Sequence, residues 1–125
     1  MRATACLIAL AAIVGGFASA TADETGMAGI HSWRQVGGRT CLVEHFHDGS
    51  GSGPTQKAAM TEAIKSWEGF TSLEYGSDWG RYANSISKSA TCDRGSSGFT
   101  CQVSSVACKG GAFARQKRRV SMHAE

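Results

Sequence analysis

The chain has 125 residues, with 13 lysines and arginines against 10 aspartates and glutamates, and its length fits one small domain. The positive charge is confined to one end: from residue 21 to residue 108, nine acidic residues outnumber seven basic ones, and five basic residues against one acidic residue follow. A positive charge that resides in a tail does not indicate a nucleic-acid-binding domain, and we expect no nucleic-acid partner.

The first 20 residues have the features of a secretory signal peptide. Arg2 supplies a positive charge, residues 3–14 form an uncharged apolar run, and residues 18–20 (Ala-Ser-Ala) fit the small-residue pattern of a cleavage site. The run is too short to span a bilayer as a helix, and no second apolar run follows it. We therefore predict export to the periplasm or the extracellular space, with cleavage after Ala20. Cleavage after Ala22 and an uncleaved anchor are the alternatives.

Four of the five cysteines lie beyond this segment, at Cys41, Cys92, Cys101 and Cys108. An even number in a small exported chain predicts two disulfides, and four cysteines allow three pairings. The remainder of the chain is divided into a flexible N-terminal segment (21–29), a disulfide-stabilised domain (30–109) and a flexible basic tail (110–125).

The glycine pair Gly37-Gly38 lies between two runs of strand-compatible residues. Such a pair is typical of a two-residue hairpin turn, because both glycines tolerate positive φ. The turn places Trp33 opposite Leu42 and His31 opposite Glu44. The sequence therefore predicts a first hairpin that ends near Phe46.

The middle of the chain has helical periodicity. Residues 49–53 (Gly-Ser-Gly-Ser-Gly) predict a flexible loop, and Pro54 suits the first turn of a helix. Apolar residues then recur at helical spacing up to Trp67. A second helical period runs over residues 75–86. We interpret these periods as two helices with a bend near residues 69–76.

A second hairpin is predicted from Lys88 to Cys108, with its turn at residues 95–98 (Gly-Ser-Ser-Gly). If Ser96 and Ser97 form the turn, Cys92 lies opposite Cys101, which leaves Cys41 to pair with Cys108. A slip of one residue would break this alignment, so the other pairings stay open. The fold class predicted is α+β: a small antiparallel sheet from two hairpins, packed against two helices and held by two disulfides.

His45 and His47 form the clearest candidate site. Residues two apart in a strand project to one face, so both imidazoles could bind one zinc or copper ion. His31 and Glu44 lie on the opposite face in the predicted register, which leaves the pair without a local third ligand. The alternative is two half-exposed, hydrogen-bonded histidines with no metal. No other cofactor is expected.

Two weaker candidate sites carry positive charge or glycine. The loop before the first helix could bind an anion through Gly51, Gly53 and Lys57, although it lacks the ending of a phosphate-binding P-loop, and a plain flexible connection is the alternative. The tail carries four charges that could attract an anionic component of the cell envelope, and a solubilising end without a partner is the alternative. These residues are Arg115, Lys117, Arg118 and Arg119. No set of catalytic residues stands out.

The stretch from Cys41 to Cys108 resembles a group of small exported, disulfide-containing hypothetical proteins of alphaproteobacteria. Its features are a cysteine before an H-x-H, a Gly/Ser segment, an Ala-rich helix ending at Trp67, a Tyr-Gly pair and closing cysteines. Ala107 stands where the group tends to have proline, and the basic tail is not part of the pattern. The resemblance implies export and disulfides but no activity, because the group is uncharacterised.

We therefore predict a secreted or periplasmic module without enzymatic activity, which binds a protein or an envelope component. The main alternative is a metal-binding protein that uses His45 and His47, and the third is a small envelope hydrolase. Metal content separates the first two functions. A deep pocket lined by acids or histidines would favour the third.

Overall fold

The computed structural model describes residues 25–110. These residues form four antiparallel strands in the sheet order β1-β2-β4-β3, one α-helix and two short 3₁₀ turns. In chain order the elements are a 3₁₀ turn Met27–Ile30, β1 Trp33–Val36, β2 Arg39–Gly53, α1 Gln56–Tyr75, a 3₁₀ turn Tyr82–Asn84, β3 Ile86–Gly95 and β4 Gly98–Gly110. The α+β class and the two hairpins are confirmed.

Both predicted hairpin registers are confirmed next to their turns, but β1 begins at Trp33, so the predicted pairing of His31 with Glu44 does not form, and β2 continues beyond Phe46 to Gly53. In the first, Gly37 and Gly38 have φ values of 56° and 80°, and Trp33 pairs with Leu42. In the second, Gly95 pairs with Gly98 and Cys92 with Cys101. The hairpins form one sheet because β2 pairs with β4 along most of its length.

The prediction of two helices is wrong. Helix α1 runs unbroken from Gln56 to Tyr75, so there is no bend at Gly69, and it ends where Gly76 takes a φ of 105°. The chain then turns back: a Cβ at Gly80 would lie 1.7 Å from Oγ of Ser72 in the preceding helix. This close approach fixes the path of the chain after α1. The aromatic residues that follow α1 therefore reach the core from a turn and not from a second helix.

Residues 49–53, predicted as a flexible loop, form the last part of β2. The glycines at every second position of this stretch, Gly49, Gly51 and Gly53, face α1. A Cβ at Gly49 would lie 2.3 Å from the Ala63 carbonyl oxygen, and one at Gly51 would lie 2.3 Å from the Ala63 nitrogen. The glycines let helix backbone rest directly on strand backbone. Because Gly51 and Gly53 belong to a paired strand, the loop on which the anion-binding prediction depended is absent.

The core lies between α1 and the sheet. Its largest fully buried side chains are Trp67, Trp79, Tyr75 and Leu42. A bulge between Cys41 and Phe46 interrupts the pairing of β2 with β4, and Glu44 adopts a φ of 53° within it. Pairing with β4 resumes at Phe46, whose side chain is exposed.

Two disulfides join neighbouring strands. Cys41 bonds to Cys108 between β2 and β4, and Cys92 bonds to Cys101 within the second hairpin, which is the pairing that the predicted register favoured. Two bridges in so small a domain are typical of extracellular proteins. None of the helices in residues 25–110 has both the length and the apolar character that crossing a bilayer requires.

Candidate functional site

The candidate site lies where the end of α1 meets the bulged part of β2. It consists of His31, just before β1, His45 in the bulged part of β2, and Glu74 in the last turn of α1. One ligand atom from each of these residues lies within 4.8 Å of the other two, and all three side chains are half-buried. Among residues 25–110, these three are the histidine, cysteine or acidic side chains whose ligand atoms lie close enough together to hold one metal ion.

Three local features bring these residues together. The bulge at Glu44 turns His45 towards the helix end, where its ring lies 4.2 Å from that of His31 between centroids. The segment before β1 is fixed to the end of α1, because the Thr25 amide donates to the Tyr75 carbonyl and the Thr25 hydroxyl donates to the Glu74 carbonyl. The described part of segment 21–29, which we expected to be flexible, therefore holds His31 near Glu74.

His47 lies beside the cluster but is already engaged by neighbouring side chains. Its ring is buried, with Nδ1 3.0 Å from Oγ1 of Thr71 and Nε2 3.0 Å from the Tyr75 hydroxyl. Nε2 also lies 3.3 Å from a carboxylate oxygen of Glu74. Burial lowers the pKa of His47, although the charge of Glu74 partly offsets the effect. His47 is therefore a neutral ring that orients Glu74 and Tyr75.

The Tyr75 hydroxyl connects two of the histidines. It lies 3.2 Å from Nε2 of His31 and 3.0 Å from Nε2 of His47. Burial raises the pKa of Tyr75, and the charge of Glu74 and a hydrogen bond to that carboxylate raise it further. The hydroxyl therefore stays protonated at neutral pH, and it donates its one hydrogen to the Glu74 carboxylate.

Two imidazoles and one carboxylate form a donor set that suits zinc or copper. In zinc sites, three protein ligands with a fourth position for water or another molecule are typical of reactive centres, whereas four protein ligands are typical of structural ones. Hydrogen bonds from neighbouring groups to the ligands fix the ring orientation and strengthen binding. His47 and Tyr75 stand where such supporting groups are needed.

An open groove of about 480 Å³ adjoins the cluster. Two of the candidate ligands, His45 and Glu74, line it, together with two exposed aromatic rings. Phe46 is 52% exposed and Phe70 is 54% exposed. The groove therefore connects the candidate metal position with apolar surface.

The sequence identified only part of this site. His45 belongs to the cluster, and His47 lies 5.1 Å from it between ring centroids, but both nitrogens of His47 are engaged elsewhere. The ligands missing from the sequence next to His45 come from elsewhere in the fold, since His31 and Glu74 both approach it, and His31 does not lie away from His45 as the predicted register implied. The order of the elements does indicate that Glu74 lies near His45. When a helix follows a strand and runs antiparallel to it, the end of the helix lies beside the earlier residues of the strand.

The predicted anion-binding residues are not brought to this cluster. Lys57 is exposed in the first turn of α1, at the far end of the helix. Arg115, Lys117, Arg118 and Arg119 lie outside the described residues. Their role stays a prediction.

Comparison of the chain with protein-family models, with curated proteins and with solved structures found no match.

Proposed function

We propose that this protein is an exported module that binds one divalent transition-metal ion, zinc or copper, through His31, His45 and Glu74. The observation that carries the proposal is that one ligand atom from each of these residues lies within 4.8 Å of the other two. These residues come from three separate parts of the fold, so their convergence is produced by the folded structure and not by local sequence.

The surroundings of the three residues support metal binding. Carboxylate and imidazole groups are ordinary ligands of zinc and copper, which they bind in their deprotonated forms. The half-buried position shields the ion from bulk water but leaves it a path of entry through the groove. His47 and Tyr75 hold two of the three ligands from the buried side.

Export is part of this proposal. The apolar N-terminal run supports it, and so do the two disulfides, because such bonds persist in oxidising compartments and are rare in the cytosol. With all four cysteines of the domain in disulfides, no thiol is left in the described chain to compete with histidine for the ion.

Zinc binding by the full exported chain, purified without chelator and without a polyhistidine tag, tests the proposal. In competition with a chromophoric chelator, we expect one zinc ion per chain. We expect His31→Ala, His45→Ala and Glu74→Gln each to lower the affinity by more than about 100-fold, because 100-fold is the upper end of what loss of a supporting group costs. Glu62→Gln is the matched control, because Glu62 lies exposed on the same helix, paired with Lys65.

The same variants separate this ligand set from the pair inferred from sequence. If His45 and His47 were the ligands, His31→Ala would leave the zinc affinity unchanged, and Glu74→Gln, which removes a contact of His47, would lower it by no more than the loss of a supporting group does. Equal affinity in wild type and His45→Ala would contradict both ligand sets.

Binding of a protein or an envelope component is the second candidate function. Exposed apolar side chains favour it: Leu73 is 80% exposed on α1, and Ile30 is 73% exposed beside the candidate metal site. We expect the full chain to sediment with cell-envelope fractions and the Leu73→Ser, Ile30→Ser double variant to stay in the supernatant. Retention that survives this double substitution but not removal of residues 111–125 would assign binding to the basic tail. A small envelope hydrolase stays the third prediction and would draw on the same metal centre.

A further inference from the structure

We infer that the bound metal keeps an open position facing the groove, and that this position takes the carboxylate of a small organic acid whose aromatic or aliphatic group lies against Phe46 and Phe70. This inference rests on the proposed metal binding and adds the chemical class of a ligand for the same centre.

The open position follows from the ligand count. His31, His45 and Glu74 provide three donors, and zinc prefers four. His47 does not supply the fourth, because Thr71 and Tyr75 already occupy both of its ring nitrogens. An exogenous oxygen ligand can therefore complete the coordination from the groove.

The charge of the centre adds a preference for an anionic oxygen. A divalent ion held by one carboxylate and two imidazoles keeps one net positive charge, because metal-bound imidazoles are neutral. A carboxylate in the open position neutralises that charge, whereas a water molecule does not.

The groove selects for an acid with one charge and an apolar group. The residues that the structure describes along it include no lysine or arginine, so the metal alone balances the charge of the ligand. Asp48 lines the groove as well and would repel a second negative charge, which disfavours dicarboxylates and phosphate monoesters. Phe46 and Phe70 offer apolar surface to the rest of the molecule.

Cobalt substitution tests the inference, because the visible absorption of protein-bound Co²⁺ changes when a ligand enters its coordination sphere. The full exported chain is loaded with Co²⁺ and titrated with acetate and with 3-phenylpropionate. We expect both acids to change the spectrum, and 3-phenylpropionate to bind about tenfold more tightly, the gain expected from burying a phenyl ring partly. Phenylsuccinate, with its second carboxylate, is expected to bind more weakly than 3-phenylpropionate.

The Phe46→Ser, Phe70→Ser double variant is the matched control. In this variant the tenfold preference for 3-phenylpropionate over acetate should disappear, and because the preference is a ratio measured in one Co²⁺-loaded protein, it does not depend on an unchanged Co²⁺ affinity. Phe46→Ser alone should reduce the preference without touching the residue that packs on His47. An unchanged preference in both variants would overturn the role of the groove, and a spectrum that no carboxylate alters would overturn the open position.

Failure of the underlying metal proposal is visible separately, since Co²⁺ would then not bind before any acid is added. The source of the acid is distinguished by N-acetylphenylalanine, which carries the carboxylate and ring of a peptide C-terminus. Tighter binding of N-acetylphenylalanine than of 3-phenylpropionate assigns the site to a peptide end, and weaker binding assigns it to a free apolar acid.

Discussion

Substitution of Gly51 by alanine is expected to lower the free energy of unfolding by about 3 kcal/mol, the upper end of the usual cost of overpacking a core. The added methyl group would lie 2.3 Å from the Ala63 nitrogen and 2.6 Å from the Ala59 carbonyl oxygen. Both atoms belong to helix backbone, so no side-chain rotation relieves the clash. The helix must move away from β2, which opens the core. Equilibrium unfolding in urea measures the loss.

The same substitution at Gly69 is the matched control. Gly69 lies on the exposed side of α1, and no heavy atom lies within 4 Å of the position its Cβ would take. Alanine there is expected to raise the free energy of unfolding by roughly 0.5–1 kcal/mol, because glycine is the poorer helix former. If Gly51→Ala proved as stable as Gly69→Ala, the direct contact between helix and strand would be refuted.

Removal of the Cys41–Cys108 disulfide is the second large expected effect. The bridge closes a loop with a sequence separation of 67, whereas Cys92–Cys101 closes one of 9. Loop-closure entropy then predicts a loss of about 4 kcal/mol for the double replacement of Cys41 and Cys108 by alanine. The corresponding loss for Cys92 and Cys101 is about 2.5 kcal/mol.

Urea unfolding of the two double variants measures this difference. Replacing both members of a bridge avoids a free thiol and the disulfide exchange that follows from it. The longer loop should give the larger loss. If the order were reversed, interactions in the folded state and not the restriction of the unfolded chain would dominate the contribution of these bridges.

The sequence was sufficient for the parts of the fold set by local turns. Gly37-Gly38 and the Gly-Ser-Ser-Gly turn each imposed a hairpin register, and the second register aligned Cys92 with Cys101. The glycines of residues 49–53 were misread because glycine and serine are ordinary loop residues. These glycines recur at every second residue, which is the period of a strand. Only the position of α1 shows why this face of the strand must lack side chains.

The candidate site was harder to predict because it depends on contacts between distant residues. The bulge that reorients His45 depends on Glu44 at positive φ, a conformation that glutamate rarely adopts and no local pattern indicates. Glu74 falls within residues 69–76, where the sequence predicts a bend between two helices. With the helix unbroken, Glu74 reaches the strand that carries His45.

The bare glycine face of β2 also provides a way to find relatives where overall similarity fails. Gly49, Gly51 and Gly53 fit against a helix whose inward positions are Ala59, Ala63 and Trp67. The strand glycines and the inward helix residues cannot change independently, because a larger residue on the strand would collide with the helix backbone. Ser50 and Ser52, which point to solvent, are under no such restriction. A search for G-x-G-x-G followed after five residues by A-x3-A-x3-W would therefore detect this architecture in chains that share little else.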